Sequence, residues 1–230
     1  MKPPIIVFDL DGTLIDTAPD LLAALNHALD RAEMAPVSSE SDFRSAISHG
    51  ARAMIEDAFA SAERDLPTEL SAELLDIFLV HYRTNMPGLS RPYEDVMSVI
   101  AGFADAGYIA AVCTNKVEAN AIALLKALEI DSTFAAICGQ DTFPVRKPDP
   151  GHLFGTIEMA GGDAARAIMI GDSETDIRTA QSAGIPVVAV DFGYTDRHVS
   201  EFGPDHVISH YSELSPALAE TLIGKARAAG

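Results

Sequence analysis

The stretch Ile5-Ile6-Val7-Phe8-Asp9-Leu10-Asp11-Gly12-Thr13-Leu14 decides how the rest of the 230-residue chain is read. Its first four residues are apolar, the composition of a strand buried on both faces of a parallel sheet. Directly after them come two carboxylates two residues apart, then a glycine. In an open α/β sheet the ligand sits beyond the carboxyl ends of the strands. An acid pair at this point therefore reads either as a candidate site or as a turn in which Asp and Gly satisfy the backbone.

Working outward, Ile109 to Cys113, Ala167 to Ile170 and Val187 to Val190 repeat the short apolar run. Between and after these runs lie Glu94 to Ala106, Val117 to Leu128, Pro150 to Met159 and Glu174 to Ala183, all with helical spacing. Gly107, Gly161-Gly162 and Gly184 follow helical runs and suit the left-handed residue that closes a helix. The expected class is α/β, a doubly wound parallel sheet with a Rossmann-like core. From about Asp16 to Met86 the alternation stops. Leu21, Leu22, Leu25 and Leu29 make one apolar face, Met54, Ile55, Ala58 and Phe59 a second, and Leu74, Leu75, Phe78 and Leu79 a third. These helices form a module inserted after the first strand. The expected division is residues 1–15 and 88–230 for the α/β core and 16–87 for the helical insert, with Pro87-Gly88 as the return hinge.

With 16 Lys plus Arg against 34 Asp plus Glu, the formal net charge is −18. Such a chain repels a polyphosphate, so nucleic acid is excluded as a partner, and an anionic membrane surface is disfavoured for the same reason. A hydrophobic content of 48% is that of a folded globular protein. Cys113 and Cys138 lie in apolar stretches without metal-clamp spacing and read as buried reduced thiols. The amino terminus carries no run long enough for a signal or a bilayer span, so the expected location is cytoplasmic.

Four strand ends carry chemistry. They are Asp9 and Asp11; Thr114-Asn115-Lys116; Arg146-Lys147-Pro148-Asp149-Pro150; and Gly171-Asp172-Ser173-Glu174-Thr175-Asp176. Each has a plain structural alternative. Thr114-Asn115 could cap the next helix, Lys147 could be a solvated charge, and Asp172 or Ser173 could be a helix cap with Asp176 in the first turn. Taken together, independent turns do not explain acids, a hydroxyl and a lysine along one sheet edge. Asp9, Asp11, Asp172 and Asp176 would bring as many as four negative charges into one crevice, which a hard divalent cation with oxygen ligands relieves. Mg²⁺ is implied. With the cation present and Lys147 opposite, the crevice attracts a phosphate dianion, which Thr114 and free backbone N–H groups can hold. The set suits phosphoryl transfer.

Together the four segments resemble the haloacid dehalogenase superfamily of phosphatases, on Phe8-Asp9-Leu10-Asp11-Gly12-Thr13-Leu14 and Gly171-Asp172-Ser173-Glu174-Thr175-Asp176 above all. Val112 to Lys116, Asp141 to Pro150 and Val187 to Thr195 extend the likeness across essentially the whole chain, in its phosphoglycolate phosphatase branch. The resemblance implies that Asp9 is the nucleophile, forming an aspartyl-phosphate, and that Asp11 protonates the leaving alkoxide and then activates water. It implies a metal held by the side chains of Asp9 and Asp172 and the carbonyl of Asp11, with Asp176 acting through water. Thr114, the Asn115 N–H and Lys147 would bind the phosphoryl group, and the inserted helices would be a mobile cap. Expulsion of halide needs no proton, so an acid at Asp11 favours a phosphatase over a dehalogenase.

Within the cap, Ser48-His49-Gly50-Ala51-Arg52 lies between helical runs. Gly50 and Arg52 are the candidates for substrate specificity, since Arg52 could fork onto a carboxylate; the seven histidines are scattered without ligand spacing, and at most His49 lies near the site. Two departures from the family pattern stand outside the catalytic set. Gln140 replaces an expected glycine, and Tyr93-Glu94-Asp95 lacks the usual Pro-Gly. The expected partner is a small anionic phosphate ester, 2-phosphoglycolate first, acted on by a monomer or homodimer. Rivals are a phosphatase for a nucleotide, pyrophosphate or sugar phosphate, a phosphosugar mutase, and a catalytically silent binding module.

Overall fold

Strand β1 (Ile5–Phe8) is buried at all four residues. The computed structural model describes residues 2–38, 44–47 and 50–229. Around β1 lie β4 (Ile109–Cys113), β5 (Ala136–Cys138), β6 (Ala167–Gly171), β7 (Val187–Val190) and β8 (His206–Ile208). Their order is β5-β4-β1-β6-β7-β8 and every pairing is parallel. Strand alternation splits the apolar residues between two layers. Ile6, Phe8, Val112, Ile168 and Val188 face α5 (Val96–Asp105), α6 (Glu118–Ala127) and α9 (Pro216–Ala229). Ile5, Val7, Ala111, Met169 and Val187 face α7 (Pro150–Ala160) and α8 (Glu174–Ala183). Helices on both faces make the sheet doubly wound. Gly161 and Gly184 close α7 and α8 in the left-handed conformation. The strand order reverses at β1, between β4 and β6, which puts the ligand crevice at the carboxyl end of β1.

Between β1 and α5 the chain leaves the sheet. Helices α1 (Ala18–Arg31), α2 (Arg44–Ile47), α3 (Ala51–Ser61) and α4 (Thr68–Asn85) pack on one another around Leu25, Leu29, Ile55, Phe59, Leu74 and Phe78. Outbound and return crossings pair as a two-stranded antiparallel ribbon, β2 (Ile15–Asp16) with β3 (Arg91–Pro92). Asp20 on α1 fastens the return crossing, accepting hydrogen bonds from the backbone N–H groups of Leu89 and Ser90 and from Ser90 Oγ. Tyr194, just past β7, reaches into the helical layer. Its hydroxyl accepts from the N–H groups of Thr17 and Ala18 and donates to Asp16 Oδ1 at 2.6 Å. Among the described residues, no helix is long and apolar enough to cross a membrane.

Candidate active site

Register brings the acids together. Phe8 pairs with Val112 on β4 and Ile170 on β6, so Asp9, Thr114 and Asp172 emerge at neighbouring strand ends. The Asp9 N–H continues the ladder by donating to the Ile170 carbonyl. Asp176 lies one helical turn below, at the start of α8, where both readings of its segment hold at once. Ser173 caps the helix and Asp176 Oδ2 closes the capping box, accepting from Ser173 N and Oγ. The other oxygen, Oδ1, is turned to the crevice and lies 2.6 Å from Lys147 Nζ.

Lys147 is not a solvated charge. It is 3% exposed, and its ammonium bridges Asp176 and Asp9, whose Oδ1 is 2.8 Å away. Its backbone N–H donates to His152 Nδ1 and its carbonyl accepts from Asn115 Nδ2, which ties the second and third strand-end segments together. Thr114 and Asn115 do not cap α6, because that helix starts at Glu118 without a side-chain cap. Thr114 is buried, and its Oγ1 accepts from the Lys116 N–H. Asp172 is held at both oxygens, by Thr13 Oγ1 and by the Tyr194 N–H, each at 2.8 Å.

Sequence reasoning left Lys116 without a role. Its side chain is nearly buried, and Nζ lies 2.8 and 2.9 Å from the two oxygens of Asp11, which also accepts from Thr17 Oγ1. On its other side the ammonium sits 4.6 Å from the centre of the Tyr82 ring, brought in by α4. The lysine is present in the Thr114-Asn115-Lys116 segment, but spacing along a strand end does not tell which way the third side chain turns. Arg52 and Gly50 lie at the start of α3. Arg52 Nη1 donates to Ser71 on α4, and Arg52 lines a cavity of about 420 Å³ with Phe59, Arg64 and other cap residues. Gly50, with φ of 91°, precedes α3. Ser48 and His49 lie outside the described residues.

Charge in the crevice is unbalanced. Four carboxylates face two ammonium groups, Lys147 and Lys116, among the described residues. Burial, with Asp176 and Asp9 alongside, pushes Asp172 up to about 8. Burial also raises Asp9 to about 6, against the pull of Lys147. Burial works against both lysines as cations, but the facing acids win and hold each above its usual value. Asp9, Asp172 and Asp176 each offer an oxygen within 4.8 Å of the others. An all-oxygen donor set with a surplus of negative charge fits a hard divalent cation such as Mg²⁺. Cys113 is unreactive by comparison, its thiol pushed up to about 12 by burial.

A family model described as haloacid dehalogenase-like hydrolase matches residues 6–190. The chain belongs to the haloacid dehalogenase-like hydrolases. Among its relatives in this family is a phosphoglycolate phosphatase of Mesorhizobium japonicum, 60% identical over the full length of both chains. Another from Agrobacterium fabrum is 48% identical over 98% of this chain and 97% of its own. In structure, a Haemophilus somnus protein described as a predicted phosphoglycolate phosphatase superposes with a TM-score of 0.85 at 30% identity, covering 96% of this chain and 99% of that one. This haloacid dehalogenase-like hydrolase is accordingly an enzyme of the phosphoric monoester hydrolase class, phosphoglycolate phosphatase-like in sequence.

Proposed function

We propose that the enzyme hydrolyses a small anionic phosphate monoester, 2-phosphoglycolate first among them, through an aspartyl-phosphate on Asp9. The observation that carries this reading is the pairing of Asp9 with buried Lys147 at the switch point of the sheet, with a second acid, Asp11, two residues on. An Asp9 oxygen attacks phosphorus, and the bond from phosphorus to the ester oxygen breaks. Asp11 delivers its proton to that oxygen, so the alcohol leaves neutral. Asp11 then takes a proton from a water that attacks the aspartyl-phosphate, and the bond from Asp9 to phosphorus breaks to release phosphate. Lys147, the Thr114 hydroxyl and the Asn115 N–H balance the charge on the phosphoryl oxygens. Asp9, Asp172 and the Asp11 carbonyl would hold Mg²⁺, with Asp176 nearby, and the bound ion supplies Lewis-acid neutralisation of the phosphoryl charge.

Residues 16–87 act in this reading as a cap that closes on the substrate and limits water, with Gly50 and Arg52 as its specificity candidates. Two free buried cysteines, Cys113 and Cys138, suit a reducing cytoplasm. The test is phosphate release from 2-phosphoglycolate, nucleotides, pyrophosphate and sugar phosphates, with Mg²⁺ and with excess chelator. Asp9→Asn is expected to lower Mg²⁺-dependent release by roughly 10³-fold or more. Unchanged release by the variant removes Asp9 as nucleophile, and activity in excess chelator removes the metal.

A further inference from the structure

Lys116 presents a nearly buried cation beside Asp11, the acid that serves the leaving group in the phosphatase reading. Its partners are the two oxygens of Asp11, 2.8 and 2.9 Å away, and the face of Tyr82 from α4. Asp11 cannot serve the ester oxygen while both of its own oxygens stay on this ammonium. Turning toward the substrate takes at least one oxygen away and leaves a nearly buried charge underpartnered, which is costly unless another anion replaces it. Whatever follows the ester oxygen of the substrate lies next to Asp11, and therefore next to Lys116 and the Tyr82 ring.

Resting on the phosphatase reading above, we propose that Lys116 recognises a carboxylate on the leaving group, one methylene beyond the ester oxygen, with Tyr82 of the cap as the wall behind it. In the complex the carboxylate takes over the ammonium that Asp11 gives up. A neutral leaving group leaves Lys116 unpaired, and that penalty is the source of selectivity. This part of the specificity is then set at the junction of core and cap, where Asp11 and Tyr82 meet Lys116.

The experiment compares kcat/KM for 2-phosphoglycolate with that for 2-hydroxyethyl phosphate, in which a neutral hydroxymethyl group replaces the carboxylate. In Lys116→Met the ratio of the two is expected to fall about 30-fold, chiefly through KM for 2-phosphoglycolate. Lys116→Arg keeps the charge and is expected to keep the ratio within about fivefold. Lys116→Gln serves as the neutral variant if the Met protein does not fold. Equal losses on both esters would assign Lys116 to Asp11 alone and overturn the proposal. Wild-type enzyme that cleaves both esters equally also overturns it. Failure of the wild type to release phosphate from any ester tested instead overturns the phosphatase reading.

Discussion

At the scale of single residues, Gly193 and Gly12 shape the metal side of the site by having no side chain. A Cβ on Gly193 would stand 2.2 Å from Asp172 Cβ, and one on Gly12, whose φ is +81°, would stand 2.5 Å from Asp172 Oδ2. Gly193→Ala must therefore push Asp172 from the position that Thr13 and Tyr194 fix. Its dissociation constant for Mg²⁺ is expected to rise at least about tenfold with the fold retained, as titration calorimetry and circular dichroism would read. Asp9, Asp172 and Asp176 could be picked from the sequence because they follow apolar runs whose strand character is plain, and Lys147 because it stands before a helix whose start is marked by proline. Lys116 could not be assigned that way. Its direction depends on Asp11 from β1 and Tyr82 from α4, and neither partner is local to it. The partner of Arg52 was equally beyond the sequence, since its hydrogen bond goes to Ser71 on α4, 19 residues away.

At the scale of elements, strands β1, β4, β6 and β7 were legible because central strands buried on both faces must be continuously apolar. The edge strands β5 and β8 are three residues each, and β8 begins with an exposed histidine, so neither offers a run long enough to read. The two-residue ribbon of β2 and β3 has no periodicity at all. It exists because the two crossings of the insert run side by side, which only the tertiary fold reveals. Asp20 is its fastener, and Asp20→Ala removes three acceptor contacts to Leu89 and Ser90. Partly exposed hydrogen bonds to a charged group suggest a loss of about 1–2 kcal/mol, or roughly 2–8 °C in melting temperature for a chain of this size. A melt within 1 °C or so of wild type would show that the ribbon does not depend on Asp20.

Across the whole molecule, charge is divided between surface and crevice. The chain carries −18 overall, yet two lysines together with a divalent cation would bring the crevice close to balance with its four acids. Without metal the imbalance becomes a pH dependence. Asp172 holds its proton to about 8 in the folded chain, against 3.8 for an ordinary aspartate, so across that range the folded state binds more protons than the unfolded state. Stability therefore falls as pH rises toward 8. His152, buried and lowered to about 4 from 6.5, acts in the opposite direction, but only below 6.5. Between about 6.5 and 8 the carboxyl effect stands alone, and the melting temperature of chelated protein is expected to drop across that interval, with Mg²⁺ giving its largest gain at the upper end. A flat or rising profile in chelator would contradict the charge assignment.

Covalent catalysis by Asp9 with Mg²⁺ is open to acid quenching during turnover of 2-phosphoglycolate, followed by peptide mass spectrometry. A phosphoryl group is expected on the peptide containing Asp9, dependent on Mg²⁺ and absent from Asp9→Asn. Turnover without any labelled peptide, or a label on another residue, would contradict it.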